Sequence, residues 1–281
     1  MSVPFELSIE KDRVLRGDWF PSQASEPQAT VIICHGFKGF KDWGFFPYVG
    51  EKLSERFDII TFNFSHNGIG PSLVDFTELD KFAKNTFARE VEDLAYLVKE
   101  LKSGRLRSNE DRPAPQQLFL LGHSRGAAVS CIYAFDHPQA VNGVVSWNGL
   151  LKPDSLFTKQ TKQEMRTDGR AYIENARTKQ RMPLDREILD DLEANYDRYN
   201  IIARAANLEE PLALIQGTED YERLLQGSEE LISANPAVKW IKVSGGNHTF
   251  NAVHPFTGET EPLRQAMNET IHFIDGTFGT R

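Results

Sequence analysis

Ser124 stands in "LFLLGHSRGAAVS" (118–130), an apolar run that reaches Gly122 and then sets the serine between that glycine and Gly126 before small helix formers begin. A chain turning sharply from a buried strand into a helix needs glycine wherever a side chain would strike its neighbours. It also forces the central residue into a strained backbone conformation. The hydroxyl is left at the tip of the turn. Such a G-x-S-x-G elbow suits nucleophilic acyl transfer, provided a base and charge-stabilising donors converge on it. The five-letter string arises by chance in about one chain in ten of this length, so its surroundings decide.

Those surroundings supply matching parts at other predicted strand ends. "TVIIC" ends in His35-Gly36-Phe37, a turn that can present the N–H of Phe37; with the N–H of Arg125 it would make a two-donor oxyanion hole. "LALIQ" ends in Gly217-Thr218-Glu219-Asp220, delivering a carboxylate, and "VKWIKV" ends in Ser244-Gly245-Gly246-Asn247-His248, delivering an imidazole. His248 would take the serine proton, and Asp220 would hold the imidazole in the right tautomer. Asp154, after the preceding strand, is the competing acid. Glu219 and Glu222 read as rim charges and His254 as a pocket or packing residue. His66, His123, His137 and His272 read as local hydrogen-bonders, and the Arg125 guanidinium pairs with a carboxylate the sequence does not name.

The elements that must position these groups are short β-rich runs at 30–37, 57–66, 117–124, 141–149, 211–220 and 238–248, most of them continuously apolar. Continuous apolarity marks strands buried on both faces of a parallel sheet. Helical spacing recurs at 46–57, 86–102, 125–135 and 262–274, so the fold class is α/β, a doubly wound, mostly parallel sheet. Ligands of such sheets bind beyond the carboxyl ends of the strands. The first segment alternates more and predicts an antiparallel hairpin at a sheet edge. About sixty residues, densely charged, separate Gly149 from Pro211, far more than one crossover needs. They read as a helical cap at 151–208 inserted into a single domain spanning 1–281, against the alternative of a solvated surface excursion. Its Phe157, Tyr172, Tyr196 and Tyr199 are candidate pocket walls, with Phe157 and Tyr172, together with Trp147 at a strand end, expected to bind substrate. The loops carrying Lys38, Trp43 and Phe250 are the alternative source of walls.

The chain has 281 residues, a net charge of −8 and two cysteines. That charge argues against a nucleic-acid partner, since phosphate neutralisation needs clustered Lys and Arg. No cationic stretch precedes an apolar segment at the start and no apolar run reaches membrane-spanning length, so no membrane partner and a soluble, cytoplasmic protein are expected. Cys34 and Cys131 lie in apolar runs and read as reduced, buried thiols. The sequence has no C-x-x-C, H-E-x-x-H, Walker or dinucleotide loop, so neither metal nor organic cofactor is expected. The expected partner is a small-molecule ester, and a homodimer is left open.

Through "CHGF", "GHSRG", "QGTED" and "GGNHTF" nearly the whole chain resembles the α/β-hydrolase superfamily. The insertion before the acid strand and the "NHTF…HPF" ending resemble the dienelactone-hydrolase-related serine carboxylesterases, including cinnamoyl and feruloyl esterases with a cap. The resemblance implies a cytosolic carboxylesterase that cleaves small carboxylic esters through an acyl-enzyme. Ser124 stands where dienelactone hydrolases proper carry cysteine, and the acid turn continues "DYERLL" rather than D-x-x-V-P. A thioesterase or peptidase on the same triad, and a hydrolase-fold binding protein without turnover, are the alternatives.

Overall fold

The computed structural model describes residues 2–24, 27–106, 117–208 and 210–278. A hairpin of β1 (Val3–Glu10) and β2 (Arg13–Phe20) forms one edge of an eight-stranded sheet. β2 pairs antiparallel with β4 (Asp58–Asn63). From β4 inward the sheet is parallel through β3 (Ala29–Cys34), β5 (Gln117–His123), β6 (Gly143–Trp147), β9 (Leu212–Gly217) and β10 (Lys239–Val243). Nearly every residue of the five inner parallel strands is buried, as their unbroken apolar runs require. The edge strand β10 is half-exposed, with only Val243 fully buried.

Strand alternation divides the core in two. Ile32, Leu120, Val144 and Leu214 face α3 (Phe87–Lys102) and α4 (Arg125–Asp136), whereas Val31, Leu121, Val145 and Ile215 face α1 (Phe46–Leu53) and α9 (Glu261–Phe278). Trp147 belongs to the second set. It is fully buried, and its indole Nε1 donates to Thr270 Oγ1 at 2.9 Å beneath α9. The expectation that Trp147 binds substrate is therefore corrected: alternation turns the last side chain of β6 into the α9 core. A short α2 (Leu79–Phe82) precedes α3, and the crossover between β9 and β10 is α8 (Glu222–Ala234), a helix that the sequence spacing did not single out.

The long segment after β6 holds a 3-10 turn (Pro153–Leu156), α5 (Lys159–Asp168), a hairpin of β7 (Arg170–Glu174) and β8 (Arg181–Asp185), α6 (Arg186–Ala194) and α7 (Ile201–Ala205). The hairpin is an addition to the helices expected there. The segment is packed rather than solvated: Met165, Ala171, Met182, Leu184, Ile188 and Leu189 are buried in the same core cluster as α3 and α4. It is also tied by polar bonds. Asp191 of α6 accepts from the N–H groups of Phe87 and Ala88 at 3.0 and 3.4 Å, the open donors of the first turn of α3. Its other oxygen accepts from the Tyr199 hydroxyl at 2.9 Å. No helix among the described residues is long and apolar enough to cross a membrane.

Replacing Asp191 by Ala strands two helix-end donors and one buried hydroxyl. The free energy of unfolding should fall by roughly 1–3 kcal/mol in a urea titration. An unchanged midpoint would show that the segment does not brace α3.

Candidate active site

β5 runs into α4 through Ser124, whose φ of 55° and ψ of −118° are costly for a side-chain-bearing residue. Glycine on either side makes the turn feasible. A Cβ on Gly126 would lie 2.1 Å from the Cys34 carbonyl oxygen, and one on Gly122 would lie 2.3 Å from the Ala127 Cα. The strained residue is held on both sides: its N–H donates to the Trp147 carbonyl at 2.9 Å, and its carbonyl accepts from Leu150 at 2.9 Å and Ala127 at 3.1 Å.

Beyond β9 and β10 the chain brings the carboxylate and the imidazole to this hydroxyl. His248 Nε2 lies 3.0 Å from Ser124 Oγ, and His248 Nδ1 lies 2.7 Å from Asp220 Oδ1. The carboxylate can only accept, so Nδ1 carries the proton and Nε2 is free to accept from the serine hydroxyl. The Asp220 side chain has no exposed surface, and that of His248 is 19% exposed. Asp220 also accepts from the N–H of Tyr221 at 2.8 Å and from Gln216 Nε2 at 3.1 Å, which fixes the carboxylate plane. The exposed ring of Tyr221 leans on the imidazole, with centroids 4.8 Å apart.

The turn after β3 lies against the elbow: a Cβ on Gly36 would come within 3.0 Å of the Ser124 Cβ. The Gly36 carbonyl accepts from Gly39 N–H at 2.9 Å and faces His35 Nδ1 at 3.0 Å, while His35 Nε2 accepts from Asn67 Nδ2 at 3.3 Å and Phe64 N–H at 3.4 Å. The carbonyl of Gly36 and the N–H of Phe37 belong to one planar trans peptide, so pinning the first directs the second out of the turn. Among the described residues neither the Phe37 nor the Arg125 N–H has an acceptor. The Arg125 side chain is fully buried. Its Nε donates to Glu90 at 2.7 Å and its Nη2 to the Asn85 carbonyl at 2.8 Å. The guanidinium carbon lies 4.3 Å from the ring centroid of Phe87 and 5.4 Å from that of Phe37. Glu90 is the carboxylate the sequence did not name.

Of the remaining expected residues, Phe157 is buried edge-on against Phe37, with centroids 5.7 Å apart. Tyr172 is not brought to the site. It lies exposed on β7 with Arg181 over its ring, because odd positions of that strand turn inward and Tyr172 and Glu174 face out. Tyr199 is buried on Phe87, and with Tyr196 it lines a cavity of about 310 Å³ whose walls include neither Ser124 nor His248. Asp154 lines that cavity too and makes no bond to His248; its carbonyl accepts from Lys162. Glu219 and Glu222 are exposed. His254 is a packing residue, accepting from Gly44 N–H at 2.8 Å and stacked on Trp43. Missed by sequence reasoning is Asn148, fully buried just after β6, whose carboxamide bonds to Gly217, Asn247 and His248.

Two consequences are measurable. Glu90→Gln leaves the Arg125 charge buried without its counter-ion and should cost roughly 3–5 kcal/mol; the double change Glu90→Leu with Arg125→Met should recover most of that loss in the same denaturant titration. The buried imidazoles set the second. Burial lowers His35 to about 4 and His123 to about 3. Both bind protons more readily in the unfolded chain, whose histidines titrate near 6.5, so stability is full above that pH and is lost as pH falls below it. Asp93, raised to about 6 by burial, works in the opposite direction below that value. From these three groups the loss between pH 7.5 and 5 should be roughly 2–4 kcal/mol; His66, also lowered to about 4 by burial, adds to it, and a flat profile would mean that the buried rings are protonated without cost.

The family model described as serine aminopeptidase, S33, matches residues 25–197. A monoglyceride lipase homolog of Monkeypox virus is 26% identical over 156 residues, 56% of this chain and 50% of that protein, so the chain spans about half the length of the curated relative it matches. Est1E from Butyrivibrio proteoclasticus superposes with a TM-score of 0.69 at 11% identity, over 98% of this chain and 99% of Est1E. A monoacylglycerol lipase of Paleococcus ferrophilus does so with a TM-score of 0.67 at 16% identity, over 94% and 99%. Identities this low speak for the fold alone, which is that of the α/β hydrolases, but the family model spans well over half of the chain and takes in both the turn after β3 and the serine elbow. The chain therefore belongs to the serine aminopeptidase S33 family of hydrolases, within the α/β-hydrolase superfamily.

Proposed function

We propose that the protein is a serine carboxylesterase that cleaves small carboxylic esters through an acyl-enzyme. The observation that carries this reading is the hydrogen-bonded series Ser124 Oγ to His248 Nε2 to His248 Nδ1 to Asp220 Oδ1, at 3.0 and 2.7 Å. As the Ser124 oxygen attacks the ester carbonyl, its proton passes to His248 Nε2, and Asp220 stabilises the imidazolium while remaining ionised. The carbonyl oxygen becomes an oxyanion facing the Phe37 and Arg125 N–H groups, two donors together worth several kcal/mol of transition-state stabilisation. His248 returns the proton to the departing alkoxide, the alcohol leaves, and the acyl group stays on Ser124. Water then repeats the sequence, with His248 taking its proton, and releases the acid.

Ester rather than peptide substrates are favoured by the aromatic surround: Phe37 stacks on Phe82, Phe157 meets Phe37 edge-on, and Tyr221 leans on His248. An aminopeptidase must in addition hold a substrate ammonium group. The segment 151–208 acts in this reading as a cap that selects the acyl or alcohol group, with Phe157 as its contribution nearest the oxyanion turn. Est1E has a structure with ferulic acid bound, at a TM-score of 0.70 and 13% identity, so aromatic acyl esters head the substrate list and monoacylglycerols follow. The buried thiols of Cys34 and Cys131 accord with a reducing, cytoplasmic setting.

A fluorophosphonate probe should label Ser124, and p-nitrophenyl acetate, methyl ferulate and a monoacylglycerol should be turned over faster than acyl-CoA or an aminoacyl anilide. Ser124→Ala should abolish hydrolysis in a folded protein. Asp220→Asn should lower kcat by several orders of magnitude, while Asp154→Asn should leave it within about threefold. Retention of a tenth of the activity by Ser124→Ala, or the reverse ranking of the two aspartates, would sink the assignment.

A further inference from the structure

His248 stands five residues beyond the last ladder residue of β10, in a loop whose Gly245, Phe250 and Asn251 all have positive φ. The sheet cannot fix its place. The loop's own bonds hold its shape: Asn247 Oδ1 accepts from Thr249 N–H at 3.0 Å and from Asn251 N–H at 2.8 Å. A loop rigid in itself can still shift as a body relative to Ser124. Glu219 N–H on the Gly246 carbonyl and Gly245 N–H on Thr218 Oγ1, both at 2.9 Å, join the start of the loop to the acid turn; at the base itself the tie is a pair of donors on the His248 carbonyl, Asn148 Nδ2 at 2.9 Å and His123 Nε2 at 2.8 Å. Asn148 Nδ2 also reaches the Asn247 carbonyl at 3.1 Å, and Asn148 Oδ1 accepts from the N–H of Gly217 at 2.8 Å, where the acid turn leaves β9. One fully buried carboxamide thus spaces the acid turn from the base loop.

We propose that Asn148 is a positioning residue for the base, setting where His248 stands between Ser124 and Asp220, with His123 as the second tether. This rests on the acyl-transfer reading above. Only an amide serves at 148, because the site asks for a donor towards two carbonyls and an acceptor towards one N–H. Aspartate would set acceptor against acceptor; leucine would leave the buried Gly217 N–H without an acceptor and take one donor from each of the two carbonyls. The backbone there has φ 47°, a region asparagine tolerates better than most residues. His123 is suited to its part because burial keeps the ring neutral, with Nε2 as the donor to a carbonyl that can only accept.

The test uses the full chain, p-nitrophenyl acetate and a fluorophosphonate probe. Asn148→Asp keeps the volume and reverses the donor, whereas Asn148→Gly removes the side chain at a φ that suits glycine. Both should lower kcat and the labelling rate by about 10- to 100-fold, the cost of a misplaced catalytic group, with KM within about twofold and cooperative melting retained. In a Ser124→Ala background, the downfield proton NMR resonance of His248 Nδ1–H should broaden or move upfield on adding Asn148→Asp, a change that mere loss of stability would not produce. His123→Phe should lower kcat, and His123→Gln, which keeps an N–H at similar reach, should restore it to within about threefold of wild type. Wild-type kcat with an unmoved resonance in folded Asn148→Gly or Asn148→Asp overturns the positioning role alone. If neither Asn148 variant melts cooperatively, the His123 pair decides, and equal rates for Phe and Gln overturn it. A wild-type protein that neither labels nor hydrolyses esters overturns the acyl-transfer reading and this assignment with it.

Discussion

The rest of the structure is arranged around one buried ion pair, Arg125 with Glu90. A guanidinium and a carboxylate with almost no exposed surface are both removed from water, and their attraction offsets that desolvation only while the geometry holds. The pair therefore works less as a source of stability than as a condition on the fold: α3 and the first turn of α4 have one relative placement in which neither charge is stranded. Arg125 is also the residue after the elbow serine, and its guanidinium lies against the ring of Phe37. Phe37 and Arg125, whose N–H groups have no acceptor among the described residues, are thus indexed to one side chain.

Parallel strands stop where their ladders stop, and the groups that could do chemistry begin one to five residues later. Short-range polar bonds take over from the ladder in that gap. His35 and Gly39 hold the Gly36 carbonyl, Gln216 and Tyr221 hold Asp220, and the Gly217 and His248 backbones share Asn148. Burial makes these bonds decisive, since an unmade one leaves a polar group with nothing to replace water. The strain at Ser124 persists for the same reason: two neighbouring strand ends and the first turn of α4 over-determine it.

Much of this was legible in the sequence, for identifiable physical reasons. The inner strands are apolar on both faces and leave no other reading, and the elbow declares itself because no side chain fits at 122 or 126. Asp220 and His248 could be named because they end predicted strands in a workable order. Trp147 was misplaced because its position at a strand end was weighed while its face, shared with Val145, was not. The β7–β8 hairpin escaped notice because five-residue strands carrying Arg, Glu and Pro183 show neither an unbroken apolar run nor a clean alternation. Glu90 reads as an ordinary solvent-facing residue of an amphipathic helix, and only its partner thirty-five residues on makes it internal. Asn148 bonds to residues about a hundred positions away, a relation no local pattern can encode.

The contact between Asp191 and the first turn of α3 bears on how such a protein diversifies. Inserted segments over a conserved sheet are commonly pictured as interchangeable modules that change what is bound and leave the reacting groups untouched. Here the segment caps the helix that carries Glu90 three residues further on, and Glu90 holds Arg125. Replacing the segment wholesale would loosen the start of α3 and with it the register of the elbow. Evolutionary or engineered change in the segment is thereby channelled into point substitutions that keep Asp191 in place. Exchanges of the whole piece succeed only where the incoming sequence brings its own acceptor to the Phe87 and Ala88 N–H groups.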